Sequence, residues 1–182
     1  MGVIKSYGYY EIEPFFVSWQ KHSSDVDCVI FYDDISDWTR TQVLNLCDHT
    51  LGKITFIEIP TNLKNEIVID VRWSLYINFL ESHKDKYNQI LFTDVGDVIF
   101  QGNLFENYEQ HSNYLAYPTE YLNMEDEPAK YNRRWVTSFL GEKIYNRLKN
   151  YRIICCGTIW GTIDEALIFA KKWKICSEEI PL

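Results

Sequence analysis

The sequence predicts an α/β domain with a mostly parallel central sheet, and three observations carry that prediction. Short apolar runs of strand length alternate along the chain with longer stretches of helical character. The 182 residues suit one domain, 1–182. Hydrophobic residues make up 46% and aromatics 16%, enough to build a core and too many for a disordered chain.

The elements follow in order. Gly2 to Ser6 leave room for a short first strand. Residues 11–21 read as a helix with Pro14 in its first turn, where a missing N–H costs little. Asp27 to Tyr32 is a short buried strand. Asp33 to Asp37 is a turn in which Ser36 or Asp37 caps the next helix, Trp38 to Leu51, and Gly52 ends it. Lys53 to Pro60 is a strand, and Asn65 to Lys84 a long helix with Val68, Val71, Leu75, Phe79 and Leu80 along it. Ile90 to Phe92 is the central strand. A short helix is expected over Leu104 to His111 and a strand over Tyr114 to Pro118. Residues 119–133 read as an acidic loop, Arg134 to Asn150 as a helix, Ile153 to Trp160 as a strand, and Asp164 to Lys174 as a last helix.

The stretch with the most chemistry is 90–101, Ile-Leu-Phe-Thr-Asp-Val-Gly-Asp-Val-Ile-Phe-Gln. Asp94 and Asp97 stand between two apolar runs, where a carboxylate needs donors or a cation. Residues three apart on a straight strand point to opposite faces, so a kink at Gly96 is expected to turn both toward one point. Paired carboxylates at a strand end suit a hard divalent cation that also takes phosphate oxygens. The competing reading is an Asp that merely caps a turn. Ligands of α/β sheets sit at the carboxyl ends of strands, where this pair lies.

Thr93-Asp94-Val95-Gly96-Asp97-Val98-Ile99-Phe100-Gln101-Gly102-Asn103-Leu104 resembles the metal-binding segment of GT-A glycosyltransferases, which transfer a sugar from a nucleotide diphosphate. The usual signature is Asp-x-Asp, then an apolar strand and a Gly-Asp/Asn-Leu turn. This chain has Asp-x-x-Asp and is similar to a bacterial branch reading Asp-Val-x-Asp-Val-x-Phe-Gln. Asp97 matches the second Asp by its distance to Gly102-Asn103-Leu104, and Asp94 stands one place upstream of the strict motif.

The resemblance implies a three-layer α/β/α fold of GT-A type, shorter than the family's at both ends. It implies Mn²⁺ or Mg²⁺ held by Asp94 and Asp97, a nucleotide-diphosphate sugar as donor, and a saccharide or other hydroxyl as acceptor. Arg72, in Asp70-Val71-Arg72-Trp73, matches an Arg-aromatic pair near the family's donor, and its fork suits diphosphate or carboxylate oxygens. A helix-surface Arg is the competing reading. Gly157 and Thr158, within Ile153 to Thr162, match the late strand and glycine turn beside the donor sugar, with Cys155 where the family often has Asn. The competing reading is a buried strand ending in a glycine turn.

Tyr7, beside Gly8, Tyr9 and Tyr10, could stack on a nucleotide base or simply pack. Glu120 could activate an acceptor or be a solvated loop charge. Asn132 to Trp135 could border an acceptor or phosphate.

A net charge of −8 argues against nucleic-acid partners and against an anionic membrane surface, though not against a local basic pocket. No apolar run is long enough for a transmembrane helix. Cys28, Cys47, Cys155, Cys156 and Cys176 show no metal-ligand spacing and are expected as free thiols, which fits the cytoplasm. The reading is a metal-assisted glycosyltransferase; the alternative is a non-catalytic carbohydrate or nucleotide-sugar binding domain.

Overall fold

The computed structural model describes residues 1–64, 68–103, 105, 115–128, 130–155 and 157–179. Strand β1 spans Gly2–Lys5, helix α1 Tyr9–His22, β2 Cys28–Asp33, α2 Asp37–Leu46 and β3 Ile54–Glu58. Helix α3 spans Val68–Ser82, β4 Gln89–Thr93, β5 Leu115–Ala116 and β6 Thr119–Asn123. Helix α4 spans Tyr131–Leu148, β7 Arg152–Ile154, β8 Thr158–Thr162 and α5 Ile163–Glu179. The fold is mixed α/β.

Strands β1, β2 and β3 form a parallel sheet with β2 in the middle, where Ile30 stands opposite both Gly2 and Phe56. Every residue of β2 is buried, as a strand covered on both faces requires. Beyond β1 comes β4. The Met1 nitrogen donates to the Leu91 carbonyl and the Met1 carbonyl accepts from the Thr93 N–H at 2.9 Å. One residue bonding to partners on either side of Phe92 is the parallel pattern. The carboxyl ends of β1, β2, β3 and β4 therefore point the same way.

Strand periodicity divides the interior into two cores. Val29, Phe31, Ile90 and Phe92 join Trp73, Tyr76 and Leu80 of α3 and Ala166 and Ala170 of α5. Cys28, Ile30, Tyr32 and Leu91 join Ile12, Phe15, Phe16 and Trp19 of α1 and Val43 of α2. Alternate residues of one strand feed opposite cores, so helices pack on both faces of the strands. The Tyr76 ring stacks on Phe92 with centroids 4.8 Å apart and planes 6° apart.

Several expectations meet differences. Strand β8 runs antiparallel to both β4 and β5, so the sheet is not parallel throughout. The expected strand over 153–160 is two strands, and β7 pairs antiparallel with β6. Strand β6 lies in the stretch read as a loop; it is mostly exposed, and a two-stranded ribbon without a buried face has no apolar signature. Helix α1 begins two residues early, with the Gly8 N–H bonded to the Glu11 carboxylate at 2.7 Å, so Pro14 lies inside the helix and not in its first turn. Ser36 caps α2, its hydroxyl accepting from the Thr39 N–H at 3.1 Å. Helix α4 is broken at Gly141, whose φ is 81°. Apart from Phe105, which stands in a turn, the helix expected over 104–111 lies outside the described residues, as does the beginning of the one expected from Asn65.

Candidate functional site

Strand β4 ends in Thr93, and the chain then bends through Asp94, Val95, Gly96 and Asp97. Val95 is 2% exposed and anchors the bend in the α1-side core. Asp94 is half-buried and Asp97 exposed. The Asp94 N–H donates to the Gly157 carbonyl at 2.8 Å, and Thr158 stands opposite Thr93 in the β4–β8 register. A side chain at Gly157 would put its Cβ 2.7 Å from Asp94 Oδ2, closer than real Cβ atoms come, so the carboxylate occupies the space that glycine vacates. Cys155 Sγ lies 3.6 Å from the same point.

Arg72 reaches this carboxylate from α3. Its Nη1 donates to Asp94 Oδ1 at 3.1 Å, and the guanidinium lies over the Trp73 ring, 5.1 Å from its centroid. The Arg72 side chain is only 11% exposed, and its Nε has no partner among the described residues. Burial raises the Asp94 carboxyl above its ordinary value; Arg72 opposes that shift, and the Asp97 charge adds to it. Asp94, with the Arg72 guanidinium against it and the Asp97 charge near enough to act on it, forms a polar centre at the strand end.

Gly96 works differently from the expected kink. Gly141 is the one described glycine with a left-handed φ, so Gly96 is in a conformation open to other residues. Its lack of a side chain makes room for Tyr7, whose hydroxyl lies 2.9 Å from where a Cβ would stand.

Tyr7 also lines a cleft of about 630 Å³ at the carboxyl ends of β1 and β2, with Tyr32, Asp33, Asp34, Arg40 and Lys64. Ser6 and Asp34 sit on its lip with φ of 57° and 54°, and the Ser6 hydroxyl donates to Asp34 Oδ2 at 2.9 Å. Left-handed non-glycine residues are uncommon and collect at ligand sites. Asp33, with 9% of its side chain exposed, lies 3.2 Å from Lys5 Nζ and 3.5 Å from Lys64 Nζ. Arg40 lies over the Tyr32 ring and bonds to its hydroxyl.

The structure thus brings Arg72, Asp94, Gly157 and Thr158 together, sets Asp97 beside them, and puts Tyr7 between this centre and the cleft. Glu120 lies on exposed β6. Sequence reasoning passed over Asp33, Lys5, Lys64 and Arg40. The available signal was the one used for Asp94, a carboxylate closing an apolar strand.

The chemistry of the donor set bears on a metal. Among the described residues no group of three or more His, Cys, Asp and Glu could form a closed cage. A cation such as Mg²⁺ needs no such cage, since it takes one or two carboxylates and draws its other ligands from phosphates and water, and Asp94 and Asp97 are the carboxylates that this bend would offer it. No helix among the described residues is long and apolar enough to cross a membrane.

No family model and no curated protein matches the chain. Among solved structures it is similar to the apo-form glycosyltransferase GlyE of Streptococcus pneumoniae TIGR4, with a TM-score of 0.56 and 14% identity. The match covers 98% of this chain and 38% of that one, so the chain spans well under half of that protein's length. At this identity the likeness is one of fold.

Proposed function

We propose that the chain is a GT-A-type domain that binds a nucleotide-diphosphate sugar and transfers the sugar to a hydroxyl acceptor with help from a divalent cation. The observation that carries this reading is the Arg72–Asp94–Asp97 centre lying beside a polar cleft, with Tyr7 common to both. The fold likeness to a glycosyltransferase supports it.

In this reading the nucleoside end of the donor enters the cleft and Tyr7 packs against it. Asp94 and Asp97 would hold Mn²⁺ or Mg²⁺, whose chemistry is to offset charge gathering on the leaving diphosphate. Arg72 keeps Asp94 oriented and adds a fixed positive charge near the same oxygens, already desolvated and so strong in its effect. Gly157 lets the Asp94 carboxylate and the donor come close to the backbone, and Thr158 stands at the head of that turn.

The test is calorimetry with Mn²⁺ and a panel of nucleotide sugars, followed by an assay for released sugar. Donor binding is expected to need the cation, and Asp97→Asn to lose more of it than Asp94→Asn, because Asp97 keeps the family register and has no competing guanidinium. Unchanged affinity in both variants would rule out a metal role for the pair. Tight binding without any turnover would favour the other reading, a non-catalytic nucleotide-sugar module, which Cys155 beside the glycine turn also favours.

A further inference from the structure

The net charge of −8 hides a strong asymmetry. Residues 130–152 hold seven of the 18 Lys and Arg and only one of the 26 Asp and Glu, Glu142. Elsewhere the described cations are mostly used within the fold: Lys5, Arg40, Lys64, Arg72, Lys84, Lys86 and Lys171 all lie in ion pairs. Of the four acids just before α4, Glu120, Glu125, Asp126 and Glu127, two serve this segment locally. Glu125 bonds to the Tyr145 hydroxyl and feels Lys130, Arg133 and Lys149, while Glu127 accepts from the Asn132 N–H at 2.9 Å. Arg133 lies over Tyr145 and near Glu142. Arg134, Lys143, Arg147 and Arg152 are exposed and have no carboxylate partner among the described residues.

Aromatic rings accompany these free cations. Tyr131 is 63% exposed and Trp135 56%. With Arg134 they occupy positions i, i+3 and i+4, one face of α4. Lys143 and Arg147 share a face in the half beyond Gly141, and Tyr151 is 66% exposed beside Arg152. Of the described α4 side chains only Tyr145 is fully buried. Exposed Arg, Lys, Trp and Tyr carried by the two halves of α4 match the headgroup level of a lipid bilayer, where cations meet phosphate and amphipathic rings sit between water and acyl chain.

We propose that the exposed side chains of α4, Tyr131, Arg134 and Trp135 before Gly141 and Lys143 and Arg147 after it, dock the protein on an anionic lipid surface. Charge complementarity selects that occupant. A flat membrane meets one face of the molecule, and at cellular ionic strength charge effects fade over about 8 Å, so the acidic remainder is little felt. A nucleic acid long enough to extend past the patch would meet that acidic remainder. The proposal does not depend on how the carboxylate centre is read.

The test is co-sedimentation of the whole chain with phosphatidylcholine vesicles, with and without phosphatidylglycerol. Binding is expected only with the anionic lipid and is expected to fall as salt is raised. Each cation near such a surface is worth about fivefold in partitioning, so Arg134→Gln/Arg147→Gln should bind roughly 25-fold less well. Trp135→Ser should also weaken it. Because these positions are exposed, the variants should keep the parent's melting temperature; Lys143→Gln/Arg152→Gln gives an independent pair. No binding to anionic vesicles, or variants that bind as the parent does, would overturn the proposal. So would tighter retention on a single-stranded oligonucleotide than on vesicles, or concentration-dependent dimerisation abolished by the same variants.

Discussion

Arg72 and Asp94 are a matched but unequal pair. The guanidinium is held by Trp73 beneath it and by the carboxylate in front, whereas 47% of the Asp94 side chain remains open to solvent. Arg72→Lys keeps the charge and loses the planar fork. It is expected to weaken donor binding about tenfold in calorimetry and to lower stability by about 1 kcal/mol through the lost contact with Trp73. Asp94 has the opposite character. Its carboxyl is raised above its ordinary value by burial, with Arg72 only partly offsetting, so folding makes ionisation harder than in the unfolded chain. Stability from this group is therefore greatest below the ordinary carboxyl value of about 4 and is lost as pH rises through the raised one. Asp94→Asn keeps an oxygen for Arg72 and removes that cost. Thermal melts at neutral pH should show the variant no less stable than the parent, with the difference shrinking in acid.

At the scale of elements, a second carboxylate behaves in the contrary way and ties the loop before β2 to the turn before β4. Asp27 accepts from the Lys53 N–H, the Lys86 ammonium and the Tyr87 hydroxyl, each within 2.9 Å. Burial opposes its ionisation, but these donors outweigh it and bring the carboxyl down to about 2. Its contribution is present above the ordinary value of about 4 and is lost as pH falls toward 2. Asp27→Ala should cost about 1–2 kcal/mol in denaturant melts at neutral pH and much less in strong acid. The elements readable from sequence were those with a buried face: β2, β4 and α3 carry long apolar patterns and were placed to within a few residues. Strand β6 was not readable, because its residues face solvent and among the described residues it pairs only with β7. Strands β7 and β8 merge in the sequence because Cys155 and Gly157 interrupt an apolar run without a polar break. Of the candidate site, Asp94, Asp97 and Arg72 were legible because they lie in one strand-end bend and the helix that feeds that strand. Lys5, Asp33 and Lys64 come from segments far apart and meet only through the β1–β2–β3 order, which sequence periodicity does not contain.

On the whole-molecule scale charge is unevenly distributed along the chain. The carboxyl ends of the parallel strands carry the cleft and the carboxylate centre, while Arg134, Lys143 and Arg147, which have no carboxylate partner among the described residues, lie on α4. Tyr7 lines the cleft and reaches the bend, with its hydroxyl 2.9 Å from where a Gly96 side chain would begin. That contact has a thermodynamic consequence. An occupant of the cleft that shifts the ring alters the bend holding Asp97, and an occupant of the bend alters the ring. Such communication is reciprocal: the factor by which one occupant tightens the other is the same in both directions. A nucleotide and a cation offered separately should therefore each change the other's affinity by an equal ratio, and a molecule spanning both positions meets that coupling within a single binding event.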